Sequence, residues 1–459
     1  GHAGHPWLFV IVKGDDQPSL PARFAAQMGH LLGPDFPSDI GLAVSGGGDS
    51  MAMLGLCHGW AREFGVRLWV VTVDHGLRKA SSEEAAMVAA ECAALGHPHA
   101  TLRWVWDGGG NVHDAARQGR LRLIDQWRGG MAHVLFAHTK DDVAETFLMR
   151  LARGSGVEGL SAMADRRWVT PHGAVGNAVP ITDGGNTAQT SGFWVMRPLL
   201  HERRADLRHY AQTLRIPFVD DPSNDDLRFD RARARAALTH LVDLGLDHEV
   251  LAKTAHRLAQ SRVALARRAV DAVQMVVTEE LLGDHATGHV LLHRDRLAQV
   301  ERDTQLRLLA AVLQWVANAP YRPRIATLEA LLDRVLAGGG GTLLGAQVMV
   351  TRDQIRVFRE YAAVKNTQAN VDAGAFWDGV WRFSGEAIAG YTVHALGRNG
   401  WRQIPEEQRQ IMPHGAALSL PAVFDGDELI ACAALGHGVG HNVSLCRAAQ
   451  SFNAFLQMR

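Results

Sequence analysis

The sequence predicts an α/β fold: a doubly wound parallel sheet, then a helical middle region and a small strand-rich C-terminal domain. Three observations carry this. Between residues 40 and 196, short apolar runs alternate with amphipathic stretches of helical length, the pattern of strands buried on both faces and joined by helices. A Gly- and Ser-rich turn follows the first run directly, at the carboxyl end where such sheets bind ligands. From about residue 246 the apolar period is that of helices, and from about residue 376 it becomes that of short strands.

Strands are expected at 40–44, 67–73, 101–106, 133–137 and 193–196, with helices at 50–64, 81–95 and 113–127 between the first four. Residues 169–192 turn to Gly, Asn, Thr and Pro without a period and read as a long loop. Leu251, Ala255, Leu258, Leu265, Ala269, Val273 and Val276 form one stripe, so a helix is expected over about 246–282, with more at 303–316 and 325–336. The glycines at 338–341 end it, 342–360 reads as a hairpin, 366–374 as a linker, and 376–436 as short strands with Gly and Asp turns. The expected organisation is an arm or cloning leftover over 1–35, an α/β domain over 36–235, a mostly helical region over 236–365 and a small domain over 375–459.

Hydrophobic residues are 47 % and charged residues 21 % of the chain, enough apolar surface for a large core and too little charge for general disorder. No apolar run approaches the ~18 residues of a membrane span, so no membrane partner is expected. The four cysteines (Cys57, Cys92, Cys432, Cys446) include no CxxC pair, which argues against a disulfide framework or zinc ribbon and favours a reducing cytoplasm. A net charge of −1 excludes a uniformly basic nucleic-acid binder. Five of the 47 cations are Lys and the rest Arg, so an RNA surface has to be found in local clusters.

The turn after the first strand reads Ser45, Gly46, Gly47, Gly48, Asp49, Ser50. Consecutive glycines let several N–H groups converge on one anion, and the helix behind adds its dipole. A carboxylate beside a polyphosphate is repelled unless Mg²⁺ lies between them, so Asp49 implies a nucleotide with its metal. The loop lacks both the Walker A ending and the GxGxxG spacing. The second strand ends in Asp74 and His75, placed to meet a nucleoside, although DHG is equally a turn. The fourth runs into His138, then Asp142 and Glu145, one turn apart at a helix start. That trio can bind Mg²⁺ or accept a proton; Asp141 can also be a plain N-cap.

These segments resemble one family in order. SGGGDS resembles the signature of the PP-loop ATP pyrophosphatases, and DHGLR at 74–78, the run from His138 to Met163, RPLL at 197–200 and DDPSND at 220–225 with Arg231 look very like tRNA(Ile)-lysidine synthases. The likeness covers about residues 40–235 well, departs at Ala232, where the family usually has Asn, and continues more loosely through GTLLG at 341–345 and LGRNGWR at 396–402. It implies adenylation of the C2 oxygen of the wobble cytidine in the CAU-anticodon isoleucine tRNA, then attack by L-lysine, giving lysidine, AMP and pyrophosphate. It further implies ATP held by Ser45, Gly46, Gly47, Gly48, Asp49 and Ser50 with Asp74 and His75 near the adenosine. Mg²⁺ falls to Asp49, Asp142 and Glu145, and catalysis to these with His138, Arg117 and Arg231. Arg120, in the same helix as Arg117, is equally a surface residue.

For tRNA, Arg150 with Arg153, the trio Arg231, Arg233 and Arg235, the series Arg257, Arg262, Arg267 and Arg268, and Trp401 with Arg398 and Arg402 are candidate contacts. Each is by default a solvated face or a packing site. A homodimer stays open. Two other readings are a tRNA thiolase, which usually brings the paired cysteines missing here, and a non-catalytic tRNA binder, which would not need SGGGDS together with His138, Asp142 and Glu145.

Overall fold

The structure, a computed structural model, describes residues 17–76, 80–106, 108, 112–169, 192–220, 230–371, 376–385, 388–438, 440–447 and 449–457. The described residues up to 262 form one compact unit and those from 263 a second.

In the first unit α1 (Leu20–Leu32) precedes the alternation β1 (Asp39–Ala43), α2 (Gly48–Phe64), β2 (Arg67–Asp74), α3 (Ser81–Leu95), β3 (His99–Arg103), α4 (Val112–Trp127), β4 (His133–Phe136) and α5 (Lys140–Leu151). Then come α6 (Val157–Leu160), β5 (Arg166–Val169), β6 (Phe193–Met196), α7 (Arg204–Thr213), α8 (Asp230–Leu241) and α9 (His248–Val276). The sheet order is β3-β2-β1-β4-β6-β5, and only β5 runs antiparallel. β5 was not expected, and β3 starts two residues ahead of its expected place. One face buries Leu42, Val70, Leu135 and Met196 under Met51 and Leu54 of α2, Leu207 of α7 and Phe24, Met28 and Leu31 of α1. The other buries Val71, Val134, Phe136 and Val195 with Ile124 of α4. Each buried Leu, Met or Phe contributes about 2 kcal/mol, so both faces must be covered for the sheet to hold, which is what doubly wound means. α1 falls inside the stretch given to an arm or leftover, yet its apolar stripe belongs to this core. Of the loop expected over 169–192, residues 170–191 lie outside the described residues, as do the first 16 residues and the segment 221–229.

α9 runs past the first unit's boundary and ends at Val276, where β7 (Val277–Leu282) begins; the expected single helix to 282 is therefore corrected. The second unit continues with β8 (His285–His293), α10 (Arg294–Gln299), α11 (Arg302–Ala317), α12 (Ile325–Leu336), β9 (Gly341–Leu343), β10 (Ala346–Val350) and β11 (Gln354–Arg359). The hairpin expected at 342–360 is there as β10 and β11, within a five-stranded sheet β7-β8-β11-β10-β9 that buries α11. The region is thus mixed, and "mostly helical" understates its strands. Next come β12 (Gln368–Asn370), β13 (Phe376–Trp377), β14 (Trp381–Gly385), β15 (Tyr391–Ala395), β16 (Pro421–Asp425), β17 (Glu428–Ala431) and β18 (His441–Leu445), in sheets ordered β12-β15-β16-β17 and β13-β14-β18. β12 pairs with β15 inside the span expected as a linker. Among the described residues no helix is long and apolar enough to cross a membrane.

Candidate active site

β1 stops at Ala43, and the chain turns through Ser45, Gly46 and Gly47 into α2. Gly46 takes φ +97°, which a side chain would resist. Ser50, in the first turn of α2, holds the bend: its Oγ accepts from the N–H groups of Ser45 (3.1 Å) and Gly46 (3.2 Å) and donates to the Gly47 carbonyl (3.1 Å). The N-cap residue of α2 is Gly47, which has no side chain to cap it, so the first N–H groups of the helix, which have no intrahelical acceptor, suit an anion. From the other side Val219 donates to the Gly46 carbonyl at 3.0 Å.

Asp49 extends from this loop toward α5 and α7, where three acids share one cation. Arg204, the first residue of α7, donates from Nε to Asp49 Oδ2 (3.1 Å), from Nη2 to Asp142 Oδ1 (3.2 Å) and from Nη1 to Glu145 Oε1 (2.7 Å). Its backbone N–H reaches Asp141 at 2.8 Å. Asp142 is set by a capping box at the start of α5, where Oδ2 accepts from the Thr139 N–H and hydroxyl at 2.8 and 2.9 Å. Asp141 is not the cap. Glu145, fully buried, also takes Arg235 Nε at 2.8 Å, and Arg231 approaches Asp142 at 3.5 Å. Burial pushes the Asp49 carboxyl up to about 6, more than Arg204 pulls it down. Arg204 itself loses to burial but gains more from Asp142, Glu145 and Asp49, so it stays charged.

The acids expected around a metal therefore converge, but on Arg204. Among the described residues no three His, Cys, Asp or Glu side chains are grouped to hold a metal ion. Arg204 was not singled out from the sequence, and Arg235, expected as an RNA contact, is instead paired with Glu145. Three acids at neighbouring strand ends demand a counter-charge, and that demand was the available signal; it did not say which of 42 arginines would answer.

His138 follows β4, its ring parallel to Phe136 (centroids 6.2 Å, 16°) and its Nδ1 buried with no partner among the described residues. Burial, then the charges of Arg197, Arg120, Arg231 and Arg117, hold it well below the usual imidazole value, so it is neutral at neutral pH. Arg120 lies over Phe136 at 4.5 Å, which makes it more than a surface residue. Arg117, on the same helix, is exposed. Asp74 Oδ1 accepts from the Gly76 N–H (2.8 Å) and the Ser81 hydroxyl (2.5 Å), the latter chiefly lowering its pKa. His75 is edge-on to Trp104 at 5.9 Å, and burial lowers its pKa too. The structure thus groups Asp49, Asp142, Glu145 and Arg231 around Arg204, and sets His138 among arginines.

Several expected RNA contacts are committed elsewhere. Arg153 and Arg233 pair with Asp230, Arg150 donates to the Gly159 carbonyl at 2.7 Å, and Arg268 pairs with Glu301 at 3.1 Å. Arg257, Arg267, Arg398 and Arg402 are exposed, while Trp401 packs edge-on to His414. Leu77, Arg78 and the segment 221–225 lie outside the described residues.

A family model described as a PP-loop domain matches residues 20–242. With its parallel sheet and Gly-rich turn ahead of α2, the first unit is a PP-loop, ATP-binding domain. Over nearly its whole length the chain is similar to a tRNA(Ile)-lysidine synthase of Ruegeria pomeroyi, at 35 % identity across 98 % of this chain and 99 % of that one. A second, from Bradyrhizobium sp., is 36 % identical over 75 % of this chain and 96 % of its own. The chain belongs to the tRNA(Ile)-lysidine synthase family and, as a member, is a ligase. Among solved structures, the U34-tRNA thiolase NcsA from Methanococcus maripaludis is similar over 52 % of this chain and 78 % of that one, with 14 % identity and a TM-score of 0.40.

Proposed function

We propose that this ligase joins L-lysine to C2 of the wobble cytidine in the CAU-anticodon isoleucine tRNA, using ATP and Mg²⁺ in the cytoplasm. The observation that carries the reading is the meeting of Asp49, from the phosphate loop, with Asp142 and Glu145, from the neighbouring strand end, on one guanidinium. It joins a nucleotide cradle to a set of groups able to handle protons. Family membership over nearly the full length supports the RNA and amino-acid substrates, and four free cysteines suit a reducing compartment.

In the first step the cytidine C2 oxygen attacks the α-phosphorus, the bond to the β-phosphate oxygen breaks, and pyrophosphate leaves. In the second the ε-amine of lysine attacks C2, the C2–O bond breaks, and AMP departs with that oxygen. Adenylation is needed because a ring oxygen leaves poorly and a phosphate monoester leaves well. The amine, with a reference pKa near 10.4, must shed its proton.

The turn from Ser45 to Ser50 grips the triphosphate through its N–H groups, with Asp74 and His75 beside the adenosine. Asp142, Glu145 and His138 take and return protons; His138, already neutral, can accept without first losing one. Arg117 and Arg231 offset the charge that grows on the phosphorus. Mg²⁺ keeps several waters and binds through one or two carboxylates plus phosphate oxygens; a hard carboxylate at Asp49 fits that donor set, and the ion would neutralise the transferring phosphate.

The test is to incubate the chain with ATP, Mg²⁺, labelled lysine and the CAU-anticodon tRNA, and to weigh the wobble nucleoside by mass spectrometry. Lysine should appear in that nucleoside, with AMP released only when the RNA is present. Equal AMP release with ammonia and no RNA would overturn the reading.

A further inference from the structure

We propose that the pocket formed by Arg197, Arg120 and His138 on the α4 side of the first sheet seats an RNA backbone phosphate next to the modified nucleotide. The proposal rests on the tRNA reading above and adds a binding site to it.

Sheet geometry puts these residues together. Val134 pairs with Val195 and Leu135 with Met196, and side chains alternate between faces along each strand. Val134, Phe136 and Val195 pack against Ile124 and Leu121 of α4, whereas Leu135 and Met196 pack under α2. Two residues past Phe136 and Val195, the same face is met by His138 and Arg197 at neighbouring strand tips. Arg120 reaches over from α4 to the Phe136 ring, the His138 ring lies parallel to that same ring, and the charges of Arg197 and Arg120 both act on His138.

Charge then separates this pocket from its neighbour. Around Arg204 every guanidinium finds a carboxylate. Here no ion pair joins Arg117, Arg120 or Arg197 to an acid among the described residues, and at Arg197 the field of Asp165 is outweighed by those of Arg167 and Arg117. Arg197 is only 6 % exposed, yet it spends Nη1 on the Ala164 carbonyl (2.5 Å) and leaves Nε, like His138 Nδ1, buried without a partner among the described residues. Unpaired buried donors are costly, and a phosphate, with several acceptor oxygens and negative charge, matches both needs. A neutral imidazole beside it can donate a hydrogen bond and adds no further repulsion.

The source of the phosphate follows from the turn. The N–H groups of the turn into α2 already give a triphosphate its anion site, so the unpaired donors of Arg197 and His138 are left for a further phosphate. A polynucleotide brings a phosphate on each side of the nucleotide it presents, and so supplies a second anion to the α4 face.

The test uses the full chain with Arg120→Gln and, separately, Arg197→Lys. Affinity for fluorescent CAU-anticodon tRNA is measured by anisotropy across a salt series, and affinity for a non-hydrolysable ATP analogue by titration. Arg120→Gln should weaken tRNA about tenfold and flatten the log–log salt dependence by about one, with analogue affinity unchanged. Arg197→Lys keeps the charge but loses the fork, so it should weaken tRNA with the slope retained. Wild-type tRNA affinity and slope in both variants would overturn the proposal. So would weaker analogue binding with intact tRNA binding, which would give the pocket to the nucleotide. A wild-type chain that bound the analogue but no tRNA would instead sink the lysidine reading itself.

Discussion

Removing the guanidinium at Arg204 tests the architecture of the site most directly. Arg204→Gln leaves Asp49, Asp142 and Glu145 facing one another, with Arg235 still on Glu145 and Arg231 still near Asp142. Breaking a buried ion pair from one side costs about 3–5 kcal/mol. The Arg204 side chain is 25 % exposed, so solvent screens part of this and about 3 kcal/mol is expected. For a domain of this size that lowers Tm by roughly 6–12 °C. The deficit must also depend on pH. Asp49 is already pushed up to about 6 against 3.8, and loss of Arg204 raises it further. A carboxyl whose folded pKa exceeds its unfolded one favours the fold below the unfolded value and loses that contribution as pH rises through the folded one. Melting curves by circular dichroism should therefore show a larger deficit at pH 8 than at pH 5, and Mg²⁺ with ATP should narrow it by binding the folded state. A variant melting within about 2 °C of wild type at both pH values would refute the view that Arg204 neutralises this cluster.

Three further outcomes are expected. Ser50→Ala removes the hydroxyl that ties Ser45, Gly46 and Gly47; titration with the ATP analogue should show about tenfold weaker binding or more, since each lost bond contributes ~1 kcal/mol. A Cβ at Gly119 would lie 2.0 Å from Trp104 Nε1, so Gly119→Ala should cost about 1–3 kcal/mol and shift tryptophan emission as the ring moves beside His75. In the second unit, Glu280 accepts from Arg356 (2.6 Å) and Thr287 (2.9 Å). Burial raises its pKa, but His289 and Arg356 outweigh it and hold it at about 2 against 4.5. That stabilisation is complete above pH 4.5 and lost as pH falls through 2. Glu280→Gln should then cost about 3 kcal/mol at pH 7 in urea titration, with the gap to wild type closing in that acid window.

What the sequence disclosed and withheld divides along chain separation. The turn from Ser45 to Ser50 could be read because its chemistry is local: glycines, hydroxyls and a helix start lie within six residues. The acids at 142 and 145 were legible for the same reason, as one turn of one helix. Arg204 was not, because its partners lie 155, 62 and 59 positions away, and no periodicity reports which distant element folds over a strand tip. Arg197 was noticed as part of RPLL, but that its Nε would be buried without a partner is a property of packing, invisible in a motif. The same limit explains the fold. The parallel sheet announced itself through apolar runs of strand length, whereas the step from α9 to β7 at Val276 and Val277 was hidden because an apolar stripe continues across it and satisfies either period. β12, three residues long, forms because β15 offers it an edge, and nothing in three residues marks them as a strand. The candidate acids can thus be listed from the sequence, but their electrostatics cannot: whether an acid meets a metal, a substrate amine or an arginine depends on long-range contacts. Those contacts put three of the acids on a cation the protein supplies itself, so any incoming cation has to compete with Arg204 for them.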